Sequence, residues 1–347
     1  PVPTPTPPAP PAVARPLALS GLTLLPGLND MHVHLASTPY ISGWNELDYA
    51  DDFGPILQVP HARTTLEAGF TTVRNLGARA FADVALVEAV DGGDVAGPRI
   101  VPTGSSIGAT GGHCDVTGLP RSMEEASDFV ADGVDAMRRV VREVRKYGAR
   151  AIKLCATGGV FSRNTEPGQQ QLSFEELKAA ADEAHMWGLT VAAHAHGADG
   201  IRDAIRAGID TIEHASLIDD AGIRLAVERG TWLSMDIFNT DFTQATGTGF
   251  GVTEDNLRKD REIAQIQRDN FRRAHAAGAR MVFGSDAAIY PHGQNARQFA
   301  VMVEYGMTPA EAIRAATWNA AQALGLEQDV GAVAVGRYGD LIAVGGE

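Results

Sequence analysis

The stretch HMWGLTVAAHAHGADGIRDAIRAGIDTIEH, residues 185–214, contains the pattern that decides the fold. Near each end of this stretch, a helical segment ends at a glycine. The apolar run that follows the glycine ends in a histidine. Glycine is favoured directly after a helix because it adopts left-handed dihedral angles without steric cost. Runs rich in valine, isoleucine, threonine and alanine are typical of buried parallel strands. The stretch therefore predicts two successive helix–strand units, each with a polar residue at its strand end.

The same pattern recurs along the chain. It is found in LEAGFTTVRN (66–75), VRKYGARAIK (144–153), VERGTWLSMD (227–236) and HAAGARMVFGSD (275–286). Counting units predicts eight strands, near residues 27–34, 70–75, 98–103, 150–155, 189–194, 209–214, 231–236 and 279–285. Eight alternating units favour an α/β fold of the TIM (β/α)8 barrel type. An open doubly wound sheet is the competing architecture, and the polar residues that mark nearly every strand end argue against it.

The two ends of the chain do not fit the barrel pattern. Residues 1–16 are rich in proline and alanine, which predicts a disordered or linker segment. Residues 17–335 are expected to form the barrel, with its core starting at about residue 27. Residues 336–347 contain a last strand that has no partner inside a closed barrel. We expect this strand in a small or incomplete β appendage, or against residues 17–25.

Composition excludes some classes of protein. The formal net charge is −14, which argues against nucleic acid or an anionic membrane as the main partner. No apolar run approaches the roughly 18 residues of a transmembrane helix, so no membrane insertion is expected. Cys114 and Cys155 are too few for a disulfide framework and are interpreted as small buried residues, not nucleophiles. The proline-rich start slightly favours a periplasmic or secreted protein, and a cytoplasmic location stays open.

Histidines and a carboxylate close several of the predicted strands. They are His32, His34, His194, His214 and Asp286. The carboxyl ends of parallel barrel strands all meet at one face, so these side chains should converge. His32 and His34 are two apart on one strand and therefore share a face. Four imidazoles and a carboxylate in one pocket predict a metal site.

Lys153 ends the strand-like run AIK and is the unusual member of this group. An ammonium group is repelled by metal cations, and burying it alone is costly. One interpretation is a lysine that extends to solvent or pairs with an acid. The other is a buried amine of lowered pKa that reacts with carbon dioxide. The resulting carbamate is anionic and has two oxygens, enough to bridge two metal ions.

The order of these residues resembles the ligand set of the amidohydrolase superfamily. A His-x-His motif follows PGLND, a lysine lies on the fourth strand, histidines end the fifth and sixth, and an aspartate ends the eighth. Further segments are similar to its binuclear prolidase- and carboxypeptidase-like branch, which includes ochratoxin-hydrolysing amidohydrolases and imidazolonepropionase relatives. They include ATGGHCD (109–115), IKLCATGG (152–159) and TPAEAIRAATWNAAQALGL (308–326). The resemblance runs from about residue 21 to the end. Members of the superfamily usually carry a β-sandwich that is built from both chain ends. In this chain we expect that β-sandwich to be small or incomplete.

The resemblance implies a binuclear site with two divalent ions, zinc being the first choice. Its ligands would be His32, His34, Lys153, His194, His214 and Asp286. Carboxylated Lys153 would bridge the ions together with a hydroxide, which forms readily because two cations lower the pKa of water. Asp286 would accept a proton and pass it to the leaving nitrogen.

Other polar residues near the strand ends are candidates for substrate contacts. His196 follows His194 by two, so it shares its face, and we expect it to act in catalysis with Lys153 and Asp286. An ordinary core histidine is the alternative interpretation. The predicted substrate-binding residues are His113, His196, Ser37, Arg163 and Tyr290.

The predicted activity is cleavage of an amide or peptide bond that releases a C-terminal amino acid from a small-molecule amide or dipeptide. An imidazolonepropionase-like cyclic amide hydrolase or a deaminase is one alternative, and the bridging lysine argues against its mononuclear forms. An inactive small-molecule-binding barrel is the other. Homo-oligomers are common in the superfamily, so one is expected here.

Overall fold

The computed structural model describes residues 18–41, 47–117, 119–120, 122 and 129–345. Its strands are β1 (Leu22–Pro26), β2 (Leu28–Val33), β3 (Phe70–Asn75), β4 (Arg99–Pro102), β5 (Ala151–Cys155), β6 (Thr190–Ala195), β7 (Thr211–His214), β8 (Trp232–Ser234), β9 (Arg280–Val282) and β10 (Leu341–Gly345). Strands β2 to β9 match the eight predicted strands, with every boundary within three residues of its predicted position.

Helices alternate with these strands. They are α1 (Phe53–Glu67), α2 (Ala82–Asp91), α3 (Val134–Lys146), α4 (Phe174–Met186), α5 (Ala198–Ala207), α6 (Asp220–Arg229), α7 (Asn239–Thr246), α8 (Glu254–Ala276), α9 (Arg297–Glu304), α10 (Pro309–Arg314) and α11 (Ala320–Leu324). Helix α4 starts at Phe174, because Ser173 and Glu176 form a capping box there. Helices α5 and α6 end at Gly208 and Gly230, whose φ values of 96° and 69° are left-handed. No helix among the described residues is long and apolar enough to cross a membrane.

The parallel strands form a ring. Strands β2, β3 and β4 make one sheet, and β5 to β9 make a second sheet in chain order. A parallel bridge between Ile107 and Leu154 joins the sheets at one junction, and a bridge between Val33 and Ala287 joins them at the other. The eight strands therefore surround one core, as in a TIM barrel, and an open doubly wound sheet does not describe them.

The last strand lies outside the ring. Strand β10 pairs antiparallel with β1, with Leu22 opposite Gly345 and Pro26 opposite Leu341. It thus lies against the N-terminal residues, as the sequence predicts, in a sheet of two strands. The proline- and alanine-rich segment 1–16 lies outside the described residues, and so do residues 123–128. Helix α3, which precedes β5, begins at Val134.

Candidate metal centre

The barrel brings the predicted ligands of β2 and of the β9 loop into contact. His32 Nε2 lies 3.3 Å from His34 Nε2. Both nitrogens approach the same oxygen of Asp286, His32 at 3.3 Å and His34 at 3.4 Å. Asp286 is held there because its backbone N–H donates to the carbonyl of His32 at 2.8 Å. Three donors from two strand ends therefore point at one place.

A second group lies beside the first. One donor atom each of His194, His196 and His214 lie within 4.8 Å of one another, and so do those of His32, His214 and Asp286. His214 thus belongs to both groups and connects them. His196, which the sequence predicts as a catalytic and substrate-binding residue, lies among the other imidazoles.

Lys153 is buried, with 3% of its surface exposed. Burial lowers the pKa of its amine to about 8, although the carboxylates of Glu213 and Asp286 favour the charged form. A substantial fraction of the amine is therefore neutral near physiological pH. The neutral amine is the form that reacts with carbon dioxide.

The electrostatics of the donors suit divalent cations. Burial lowers the pKa of His32 to about 3 and holds the pKa values of His194 and His196 well below the ordinary range. Burial disfavours the charge on Asp286, but His32 and His34 bring the pKa of its carboxyl below the ordinary value. Neutral imidazoles and an ionised carboxylate are the forms that bind a metal, so His32, His194, His196 and Asp286 fit one.

His32 is oriented by a buried network that the sequence analysis did not predict. Its Nδ1 is 3.1 Å from Glu213 Oε2, and Arg74 Nη2 donates to Glu213 Oε1 at 2.6 Å. Thr211 Oγ1 donates to the same carboxylate at 2.8 Å. Burial disfavours the charge on Glu213, but Arg74 holds its pKa well below the ordinary value. An ionised Glu213 therefore fixes the proton of His32 on Nδ1 and leaves Nε2 free for a metal.

His214 has an equivalent partner in Asp236, whose Oδ1 lies 2.8 Å from His214 Nδ1. Burial would lower the pKa of His214, but the Asp236 carboxylate raises it above the ordinary value. Gln267 donates to both the carbonyl of His214 and Asp236 Oδ1. A sequence signal existed for Asp236, because it ends the apolar run TWLSMD.

Two of the candidate ligands have left-handed backbone conformations. The φ value is 67° at His214 and 54° at Asp286. Such a conformation costs a non-glycine residue roughly 1–3 kcal/mol and is concentrated at functional sites. His214 is the last residue of β7, and Asp286 lies four residues after the end of β9.

The predicted substrate-binding residues differ in position. The ring of His113 stacks on His194 with centroids 4.1 Å apart, and His196 Nδ1 is hydrogen-bonded to Ser216 Oγ at 2.8 Å. Both belong to the histidine cluster. Of the other three, Ser37 and Arg163 are exposed on loops, and Tyr290 is fully buried against Phe238 and Phe242.

The prediction for the cysteines requires a correction. Cys155 is buried as expected, but it forms a disulfide with Cys114. The two residues are separated by 41 positions in sequence. They meet because the loop after β4 crosses the end of the neighbouring strand β5.

A parallel barrel with clustered imidazoles at its carboxyl face is an arrangement of barrel enzymes. The model of the amidohydrolase family matches residues 23–346, so the chain belongs to the amidohydrolase family. It is a hydrolase that acts on amide bonds.

The chain is also similar to individual proteins of this family. Ochratoxinase of Aspergillus niger is 32% identical over 353 aligned residues, which cover 92% of this chain and 70% of that protein. The crystal structure of a Xaa-Pro dipeptidase with methionine bound in its active site has a TM-score of 0.88 at 34% identity. That match covers 94% of this chain and 82% of the dipeptidase. A prolidase complexed with N-methylphosphonate-L-proline has a TM-score of 0.86 at 31% identity, covering 98% and 84% of the two chains.

Proposed function

We propose that this protein is a binuclear metal-dependent hydrolase that releases a C-terminal amino acid from an N-acyl amino acid or a dipeptide. The observation that carries the proposal is the convergence of two overlapping donor groups that share His214. Similarity to a Xaa-Pro dipeptidase, a prolidase and ochratoxinase supports the substrate class. The dipeptidase holds methionine and the prolidase holds a proline derivative, so both bind an amino-acid moiety.

Six residues would hold the two ions, with zinc as the first choice. His32, His34 and Asp286 would hold one ion, and His194 and His214 the other. Lys153, once carboxylated on Nζ, would bridge them. When bound, the ions would polarise the scissile carbonyl group and lower the pKa of a water molecule.

The chain's own residues would then orient the substrate and move protons. Asp286 is the proposed proton carrier, because it is an ionised carboxylate in contact with both His32 and His34. It would accept a proton from the attacking water and deliver it to the leaving nitrogen. His196 is held by Ser216, and we propose that it and His113 contact the scissile amide or the substrate carboxylate. Arg163 and Ser37 are exposed on their loops, and we keep them as candidates for contacts with parts of the substrate that lie away from the scissile bond.

Three further residues would act indirectly, by orienting a candidate metal ligand or by lining the site. Glu213 and Asp236 hold the rings of His32 and His214, so these rings need no reorientation when a ligand arrives. Tyr290 is buried beside Phe238 and would form the wall of the site, not a direct grip on the substrate carboxylate.

The test is a hydrolysis screen over N-acyl amino acids, Xaa-Pro dipeptides and ochratoxin-like amides with metal-loaded protein. We expect release of the C-terminal amino acid, two metal ions per chain by elemental analysis, and no turnover by Asp286→Asn. Hydrolysis by that variant at the wild-type rate would refute the role of Asp286. One ion per chain, with activity only on cyclic amides or amino-substituted rings, would favour the imidazolonepropionase-like or deaminase alternative.

A further inference from the structure

The loop that carries His113 is tied covalently to the barrel. We call residues 109–117 the His113 loop; within it Cys114 forms the disulfide with Cys155, and their Cα atoms lie 5.9 Å apart. Cys155 is the last residue of β5, is 1% exposed, and lies two positions after Lys153. These are the chain's two cysteines. The bond therefore joins the loop to the strand that carries the proposed bridging lysine.

His113, next to Cys114, is packed closely against the site. Its ring stacks on His194 at 4.1 Å between centroids with a 20° angle between planes. Its Nδ1 is hydrogen-bonded to Ser162 Oγ at 2.8 Å. A Cβ atom built on Gly159 would lie 2.4 Å from the ring, so the imidazole rests directly on the backbone after β5. A small displacement of the loop would break all of these contacts together.

Many hydrogen bonds of the loop are internal. Gly112 N–H donates to the carbonyl of Ala109 at 2.9 Å, and Asp115 N–H donates to that of Gly112 at 3.1 Å. Gly111 N–H donates to Asp115 Oδ2 at 2.8 Å. These bonds shape the turn, but they do not attach it to β5.

Other hydrogen bonds connect the loop to neighbouring segments: Thr110 is bonded to Asp132, the His113 N–H donates to Gln171 Oε1 at 2.8 Å, and Thr117 Oγ1 accepts from the Arg163 N–H. Ile107, two residues before the loop, pairs with β5 through its backbone. The disulfide is the covalent bond between the loop and that strand.

We propose that the Cys114–Cys155 disulfide positions His113 and makes the use of substrate dependent on the redox state. In the oxidised protein His113 is held on His194; in the reduced protein the loop keeps its hydrogen bonds but loses its covalent bond to β5, so that His113 moves more freely away from the proposed substrate position. Cys114 is thus a positioning residue. This inference rests on the proposed function, in which His113 contacts the substrate.

The chemistry is a two-electron reduction. A dithiol reductant attacks one sulfur of the disulfide, the S–S bond breaks, and Cys114 and Cys155 each end as a thiol while the dithiol becomes a disulfide. A water-soluble phosphine does the same in vitro: with one water molecule it becomes the phosphine oxide and supplies two electrons, and water provides both protons. The phosphine is preferred in the assay because dithiols bind divalent metals.

The experiment compares oxidised and phosphine-reduced holoenzyme. We expect no titratable thiol in the denatured oxidised protein and two after reduction. On reduction KM should rise by about three- to tenfold, the scale of one lost hydrogen bond to the substrate, with metal content unchanged. The double variant Cys114→Ser/Cys155→Ser should have the KM of the reduced enzyme, and the phosphine should not change that KM. His113→Ala should also show the raised KM, with no further rise on reduction.

A measurement that does not depend on enzymatic activity separates this inference from the proposed function. Hydrogen exchange of residues 109–117, followed by mass spectrometry, should accelerate on reduction in the wild type and not in the double variant. Two thiols in the oxidised protein, or an unchanged KM after verified reduction, would overturn the inference. If no amide is hydrolysed, the proposed function fails, and the thiol count with the exchange rates decides whether the disulfide anchors the loop.

Discussion

Replacing Glu213 by glutamine tests the buried network behind the metal centre. Glu213 is fully buried and accepts hydrogen bonds from Arg74, Thr211 and His32. Glutamine keeps the shape but removes the charge and places an N–H2 group where an acceptor is needed. Arg74, which is also fully buried, would then be a cation without its counterion.

The expected loss follows from this geometry. Removing one partner of a buried ion pair costs about 3–5 kcal/mol, because the remaining charge stays desolvated. With a urea m-value of about 3 kcal/mol per molar, the unfolding midpoint should fall by about 1–2 M. His32 would also lose the acceptor that fixes its tautomer, so metal affinity should fall by about 10- to 100-fold.

The assay is urea unfolding of metal-depleted protein, followed by metal titration of the folded protein. The exposed pair Arg63–Glu67 gives a matched control, since Glu67→Gln removes the same charge at the surface and should leave the midpoint unchanged. The double variant Arg74→Met/Glu213→Leu should recover much of the stability but not the metal affinity. A loss below about 1 kcal/mol for Glu213→Gln, the scale of a surface pair, would refute the reasoning.

Four further outcomes are expected. Lys153→Ala should lose the second metal ion and nearly all activity, with partial rescue by small carboxylates; full activity would refute the bridge. Because burial lowers the pKa of Lys153 to about 8, the neutral amine becomes more abundant as pH rises through this value, so reactivation of chelated protein by metal and bicarbonate should speed up from pH 7 to 9; a rate independent of pH would contradict this. Asp236→Asn should weaken metal binding by about 10- to 100-fold, because His214 loses its acceptor, as measured by competition with a chelator. The disulfide closes a segment of 41 residues, so its reduction should lower the free energy of unfolding by about 4 kcal/mol in urea, and an unchanged midpoint would count against it.

Local patterns in the sequence predicted most of the barrel. Strands such as β6 and β7 were recognisable because a glycine ends each preceding helix and an apolar run follows. The candidate ligands followed from the same pattern, since the carboxyl ends of parallel strands share one face. His196 could be placed beside His194 because residues two apart on a strand point to the same side.

Contacts between distant residues were not predictable in this way. Arg74 and Glu213 are 139 positions apart, and nothing in either run shows that they face each other across the barrel. The pairing of Cys114 with Cys155 was missed for the same reason, because it depends on how the β4 loop crosses β5. The burial of Tyr290 depends on helix α7 and the residues before it, which cover it with Phe238 and Phe242.

By itself the sequence determined the alternation of helix and strand, the face on which polar residues collect, and the resemblance to amidohydrolases. These follow from short-range rules: steric preferences of glycine, side-chain alternation along a strand, and motif spacing. Only the tertiary structure decided which residues meet across the barrel, how Glu213 and Asp236 orient His32 and His214, and where the disulfide anchors a loop. The reason is that such contacts depend on strand register and loop path, which many weak interactions set together.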